Sequence, residues 1–289
     1  MAAQIINGKT LSAEYLAGTQ EAVNRLKARG IVPGLAVIIV GENSASMKYV
    51  ANKEKVCQNI GIYSRIIRMP AQISQSQIET TIRQLNADTA IHGILVQLPL
   101  PPHLDTLSLL SLVNPAKDVD GFHYQNSGKL FSGLPSLMPG TPKGVYEMIK
   151  STGVTIAGKD AVVVGRSNIV GKPMAIILMN EDATVSVCHK LTVDLKAYTS
   201  RADILVVAAG KPKLITADMV KPGAVVIDVG ITYVDGKVAG DVDFQAVSEV
   251  AGFITPVPGG VGRMTIAMLM ANTVEAAASI DAARLSSLG

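Results

Sequence analysis

The chain contains no tryptophan, and aromatic residues make up only 4% of its 289 positions. A surface that stacks nucleobases needs aromatics in number. A net charge of +3 with no block of lysine or arginine adds little for a phosphate backbone, so nucleic acid is not an expected partner. Cysteine is equally scarce: Cys57 and Cys188 lie far apart and read as buried thiols rather than as a disulfide framework. His92, His103, His123 and His189 are scattered without zinc-ligand spacing, and no metal is expected. The longest apolar runs, Leu35–Val40 and Ile204–Ala209, have the length of a strand and fall far short of a membrane span. The beginning, MAAQIINGKT, lacks the charged and apolar regions of a signal peptide, which leads to the expectation of a cytoplasmic protein with no membrane partner.

What the chain does have is 48% hydrophobic residues, 26 glycines and a regular alternation of helical and strand patterns. A helix is expected near Ser12–Arg29, a strand at Leu35–Gly41, a helix over Ser44–Gly61 and a strand at Ile62–Met69. A serine-capped helix at Ser74–Ala87 and a short buried strand at Gly93–Leu98 follow. Pro99 to Pro102 then force the chain out of the sheet. The stretch Lys117 to Pro142, rich in Gly, Pro, Ser and Asp, reads as a crossover to a second domain. There a helix at Pro142–Thr152 precedes strands at Ala161–Val164, Thr184–Cys188, Ile204–Ala208, Ala224–Val229 and Phe253–Ile254. Strands separated by helices in this rhythm predict an α/β fold with parallel sheets. The last helix, Met264–Ala278, follows the second domain in sequence and is expected to pack back on the first.

One lysine stands out. At 100° per residue, Lys48, Asn52, Lys55 and Asn59 share a polar face of the 44–61 helix. Ser46, Tyr49, Val50, Lys53, Cys57 and Ile60 share the opposite, mostly apolar one. Lys53 either snorkels back to water or is an amine whose pKa is lowered by partial burial for catalysis. Its helix alone leaves both readings open.

A second feature is the run Ala161-Val-Val-Val-Gly165-Arg166-Ser167-Asn168-Ile169-Val170-Gly171-Lys172-Pro173. A buried strand entering a glycine turn and then a helix N-terminus is an anion site, because free N–H groups and the helix dipole both favour phosphate. The spacing is neither that of a P-loop nor G-x-G-x-x-G. The next strand ends in Cys188-His189-Lys190 rather than in the acid that usually reads the ribose of NAD. With Arg166 nearby, this basic end favours the 2′-phosphate of NADP, although Lys190 also reads as an ordinary surface charge. Two further strand ends, Ala208-Ala209-Gly210 and Asp228-Val229-Gly230-Ile231, finish in small residues that let a flat cofactor approach. The segment Thr255 to Gly262 packs three glycines and two prolines into eight residues, more than a plain turn needs.

Tyr49-x-x-x-Lys53 beside a nucleotide loop suggests a short-chain dehydrogenase, but in those enzymes the glycine loop comes before the tyrosine, and here it comes after. Six pieces in order resemble instead the bifunctional methylenetetrahydrofolate dehydrogenase/cyclohydrolase family. They are Ser46-x-x-Tyr49-Val-x-x-Lys53, Gly93-Ile-Leu-Val-Gln97-Leu-Pro-Leu-Pro, Lys117-Asp-Val-Asp120-Gly-Phe, Pro139-Gly-Thr-Pro-Lys-Gly144, Val164-Gly-Arg-Ser-x-Ile-Val-Gly171-x-Pro and Pro256-Val-Pro-Gly-Gly-Val-Gly262-x-Met-Thr. Together they cover nearly the whole chain. A shikimate-type dehydrogenase and a folate-binding protein without turnover are the alternatives; the set Tyr49, Gln97 and Asp120 argues against the former.

The resemblance implies an N-terminal α/β substrate domain (residues 1–120, with 264–289 returning to it) and a Rossmann-type NADP domain (140–262), with a cleft between them. It implies oxidation of 5,10-methylenetetrahydrofolate by NADP and hydrolysis of the methenyl product to 10-formyltetrahydrofolate. Lys53 is then expected to transfer protons, Gln97 to orient it, and Asp120 to accept hydrogen bonds from the amino-pyrimidine edge. Ser46, Tyr49, Pro258, Gly259 and Gly260 are expected to line the tetrahydrofolate derivative. Gly165, Arg166, Ser167, Gly171, Lys190 and Ile231 are expected to hold NADP. A homodimer through the cofactor domain is also implied. Three positions depart from the family pattern: Gly140 stands for its usual Cys, Arg263 for its Pro, and Lys190 for its Ser.

Overall fold

A computed structural model describes residues 2–234 and 236–286, without the side chains of 44 and 45. In chain order the elements begin with β1 (Gln4–Ile5), α1 (Gly8–Ala28), β2 (Gly34–Val40), α2 (Ser44–Ile60) and β3 (Tyr63–Met69). Next come α3 (Gln75–Ala87), β4 (Gly93–Val96), α4 (Thr106–Leu112), α5 (Tyr124–Phe131) and α6 (Gly140–Lys150). Then follow β5 (Asp160–Val164), α7 (Gly171–Asn180), β6 (Thr184–Cys188), α8 (Leu195–Thr199), β7 (Ile204–Val207) and β8 (Val225–Asp228). The chain closes with β9 (Thr232–Val234), β10 (Lys237–Ala239), α9 (Phe244–Ser248), β11 (Phe253–Ile254) and α10 (Val261–Ser286). It divides into two compact units, Glu14–Gly140 with the chain from Ile266 onward, and the N-terminus to Ala13 with Thr141–Thr265.

The first unit is built on a three-stranded parallel sheet in the order β3-β2-β4. All seven residues of β2 are buried, as a central parallel strand covered on both faces requires. Its side chains alternate between two cores. Ala36, Ile38 and Val40 pack with Ile78, Ile82 and Leu85 of α3. Leu35, Val37 and Ile39 pack with Val50, Cys57 and Ile60 of α2 and with Ile266, Leu269 and Met270 of α10. A capping box at Ser74 and Gln77 starts α3. Within the segment read from sequence as an irregular crossover, the structure has a two-turn helix, α5. The His123 ring caps it by accepting the Gln125 N–H at 3.1 Å, and Leu130 is buried. Glycine and serine density hid this helix because its anchors are single buried residues rather than an apolar stripe.

The second unit holds a six-stranded parallel sheet in the order β1-β11-β8-β7-β5-β6. The chain reverses direction across the sheet at β5: β6 lies on one side of it and β7 on the other. That reversal creates a topological switch point at the carboxyl ends of β5 and β7, where open α/β sheets bind ligands. The residues up to Ala13 belong here and not to the unit built from Glu14–Gly140. Gln4 and Ile5 pair with Phe253 and Ile254 and extend the sheet by one edge strand. Two residues carry no periodicity, so pairing alone decides their place. An antiparallel hairpin, β9–β10, also follows β8 without an expectation from sequence.

Candidate functional site

In the first unit the helix α2 carries the lysine stripe past the end of β4. Asn43 caps the helix by accepting the Ser46 N–H at 3.0 Å, and Ser46 itself is buried. Lys53 is only 6% exposed, so its amine does not snorkel to water. Its Nζ donates to Gln97 Oε1 at 2.9 Å. The Gln97 side-chain amide is held in turn, since its Nε2 donates to the Leu98 carbonyl at 2.8 Å. The Gln97 N–H donates to Ile38 O at 2.8 Å, which places the residue one step beyond the last sheet pairing of β4. Tyr49 stands one helical turn before the lysine, its ring centre 6.0 Å from Nζ.

Burial pulls the Lys53 amine below its usual range, and the charge of Asp120 opposes that shift. Burial likewise raises the Asp120 carboxyl to about 6, with Lys53 holding it down. A buried amine with a lowered pKa beside a carboxyl with a raised one is the kind of pair that acid–base chemistry uses. Cys57, one turn beyond Lys53, is a different case. Its thiol is pushed up to about 12 by burial and packs against Met270, so it is an inert core residue.

Asp118 was not singled out from sequence, yet it shapes the loop that bears Asp120. Its carboxylate accepts the Phe122 N–H at 3.2 Å, the His123 N–H at 2.8 Å and the Asn126 side-chain amide at 2.9 Å. Lys117 is buried next to it and donates to the carbonyls of Leu85, Asn86 and Asp88, tying the same loop to the end of α3. The signal was present in the spacing Lys117-Asp-Val-Asp120, but nothing in it tells a positioning aspartate from a ligand-facing one.

In the second unit the loop from β5 to α7 contains Gly165, Arg166, Ser167 and Gly171. A Cβ at Gly171 would run into the Gly165 carbonyl, and one at Gly165 into the carbonyl of Ala208, so the turn is bare backbone at the switch point. Ser167 Oγ accepts the N–H groups of Val170 at 3.1 Å and Gly171 at 3.3 Å, fixing the entry into α7. The Gly165 N–H donates to Cys188 O at 2.8 Å, which joins the loop to the end of β6. Arg166 and Lys190 are exposed there, and Ile231 is exposed beyond β8. Bare turn, helix N-terminus and two exposed cations fit a phosphorylated dinucleotide. Pro258, Gly259 and Gly260 also lie in this unit, between β11 and α10; the Val257–Pro258 peptide is cis. The structure thus brings Lys53, Gln97, Tyr49 and Asp120 together in one unit and gathers the nucleotide-loop residues in the other.

Among the described residues no group of three or more His, Cys, Asp or Glu could hold a metal ion, and no helix is long and apolar enough to cross a membrane.

Comparison with known proteins gives two matching family models. Residues 6–120 match the tetrahydrofolate dehydrogenase/cyclohydrolase catalytic domain, and residues 139–281 match the NAD(P)-binding domain of the same family. The bifunctional protein FolD of Dechloromonas aromatica is 58% identical over 278 residues, covering 96% of this chain and 98% of that protein. The FolD of Polaromonas sp. (strain JS666) is 55% identical, with 96% and 99% covered. Among solved structures, the FolD methylenetetrahydrofolate dehydrogenase/cyclohydrolase of Campylobacter jejuni superposes with a TM-score of 0.95 at 49% identity, covering 96% of this chain and 99% of that one. The Trypanosoma brucei enzyme, complexed with NADP cofactor and inhibitor, superposes with a TM-score of 0.93 at 39% identity, with 96% and 98% covered.

Proposed function

The chain belongs to the tetrahydrofolate dehydrogenase/cyclohydrolase family, and on that premise we propose that Lys53 moves the protons of its hydrolytic reaction. The enzyme has two activities. It oxidises 5,10-methylenetetrahydrofolate to the 5,10-methenyl cation, and it hydrolyses that cation to 10-formyltetrahydrofolate. NADP is the cofactor, and when bound it supplies the hydride acceptor of the first step. The chain's own part in that step is to hold and orient it. Gly165, Ser167 and Gly171 receive its phosphates against bare backbone, Arg166 and Lys190 pair with its 2′-phosphate, and Ile231 lies against it.

In the second step water attacks the methenyl carbon, and neutral Lys53 takes a proton from that water at Nζ. As the resulting hydroxyl becomes the formyl carbonyl, the bond to N5 breaks and N5 receives a proton. One further proton is released overall. Gln97 Oε1 keeps Nζ aimed, and Asp120 accepts hydrogen bonds from the amino-pyrimidine edge of the folate, a donor-rich pattern suited to a carboxylate. Tyr49 stacks on the folate ring system, with Ser46 one turn before it on the same helix. The observation that carries this reading is the buried Lys53 amine, 2.9 Å from Gln97 Oε1 and in the field of Asp120. Both half-reactions measured by absorbance on one purified sample, with NADP and with NAD, test it. NADP reduction and hydrolysis well above the buffer rate are expected; absence of either refutes the assignment.

The Asp120 value sets a pH dependence. Its carboxyl, raised to about 6, must be ionised to accept two donors, so the KM for folate should climb as pH falls below about 6. Asp120→Asn should weaken folate binding and flatten that acid limb, as read from KM against pH between 5 and 8. An unchanged limb in the variant would assign it to another group.

A cytoplasmic homodimer is the form we propose for the enzyme. β6 is an edge strand of the six-stranded sheet, with Val187 exposed on it, and such an edge can pair with a second copy. Sedimentation of a monomer at micromolar concentration would exclude the dimer.

A further inference from the structure

The carboxyl edge of the six-stranded sheet holds two aspartates to which the steps above give no role. Asp228 ends β8 and Asp241 follows β10; they are 3% and 0% exposed. Among the described residues neither forms an ion pair with a lysine or arginine. Their partners are backbone. Asp241 Oδ2 accepts the N–H groups of Ala209 at 2.7 Å and Gly210 at 2.8 Å. Asp228 Oδ1 accepts those of Gly230 at 2.9 Å and Asp241 at 3.0 Å, and its Oδ2 accepts that of Val242 at 3.0 Å.

Burying a carboxylate without a cation is costly, and charge-assisted bonds from N–H groups are what offset it. Stability alone is often served as well or better by apolar residues in such places. What these bonds have in common is the backbone they hold: residues 209–210 after β7, residue 230 after β8, and 241–242 after β10. The fit leaves no slack. A Cβ at Gly230 would run into the Asp241 carboxylate, and one at Gly240 into that of Asp228. The clamped segment also meets the nucleotide loop, since Gly165 lies against the Ala208 carbonyl. Ala209 and Gly210 are themselves exposed, so a buried clamp supports an accessible surface.

The position within the sheet says which part of the dinucleotide that surface would meet. A doubly wound sheet takes one mononucleotide on each side of the switch point. The basic end of β6 lies on the side of the 2′-phosphate, which leaves the ends of β7 and β8 for the nicotinamide half. We infer that Asp241 and Asp228 are positioning residues for hydride transfer: together they lock the backbone segments after β7, β8 and β10 into the seat of the nicotinamide half of NADP. The inference rests on the reading that this edge of the sheet binds NADP.

The two half-reactions separate it from a merely structural role, because hydrolysis of added methenyltetrahydrofolate needs no NADP. Asp241→Ala removes two charge-assisted bonds and should raise the KM for NADP about tenfold or more and lower the dehydrogenase kcat, while hydrolysis stays within about twofold. Asp241→Asn keeps one neutral acceptor oxygen and should recover most of the loss, leaving a roughly threefold rise in KM. If Asp241→Ala does not fold, that threefold rise with hydrolysis unchanged supports the inference in its place, and no rise overturns it. Dehydrogenase and hydrolase activities falling in the same proportion, or an unchanged KM and kcat in folded Asp241→Ala, also overturn it. Calorimetric titration of the unaltered enzyme with NADP distinguishes the two levels. No binding sinks the NADP reading itself, whereas binding to which the variants are indifferent sinks only the clamp.

Discussion

Lys53→Met should lower the hydrolysis of methenyltetrahydrofolate by about 10²–10⁴-fold, the usual worth of a positioned proton-transfer group. Methionine keeps the length and apolar stem of the side chain, so the packing of α2 against β4 should survive. Calorimetry should find NADP affinity within about twofold of the unaltered enzyme, because the nucleotide loop lies in the other unit. Stability should rise rather than fall. A lysine whose folded-state pKa lies below its unfolded value binds its proton less readily when folded. It therefore destabilises the fold most at pH below the folded-state pKa, and the penalty fades as pH rises from there towards 10.5. Removing the amine should raise the melting temperature at pH 7 and raise it less at pH 9.5, as read from thermal melts at both. Asp120 loses its cation in this variant and its carboxyl moves further up, so the KM for folate is read beside kcat to separate weakened binding from lost proton transfer. Hydrolysis retained at more than about a tenth of the original rate would show that another group carries the proton. A drop in melting temperature would show that Lys53 is a structural residue.

Arg166→Ala should weaken NADP by about 10–100-fold and NAD by no more than about twofold, the difference being the loss of charge-assisted bonds to a phosphate that NAD lacks. The guanidinium is exposed beside a glycine turn, and among the described residues it has no carboxylate partner, so it is free to fork onto a phosphate. Lys190→Ala should follow the same direction with a smaller effect, because an ammonium offers a point charge rather than a planar fork. Competition assays with both dinucleotides check the ratio. An equal loss for NADP and NAD would remove Arg166 from 2′-phosphate recognition.

The elements that were legible in the sequence share a physical property: their local pattern is also their tertiary environment. β2 is apolar at six consecutive positions, Leu35–Val40, because both of its faces are covered, and the α2 stripe is apolar because it faces the same core. The glycine loop after β5 was legible for a related reason, since bare backbone at a phosphate site has to be written as glycine. β1, α5 and the β9–β10 hairpin were not legible. Two residues carry no period, and a helix anchored by Asn126 and Leu130 has too few contacts to show one.

The same division runs through the site. The sequence alone was enough to establish that a lysine lies on the apolar side of its helix and that a glycine turn enters another helix. It also placed the six motifs in an order that points to the family. Whether Lys53 snorkels or is buried was decided only by tertiary structure, because the answer depends on Gln97, 44 residues away, and on the loop that Asp118 holds in place. Asp228 and Asp241 belong to the same class. Their role comes from backbone N–H groups on three separate segments, and every residue in a sequence owns such a group alike, so only the fold can select the ones that converge.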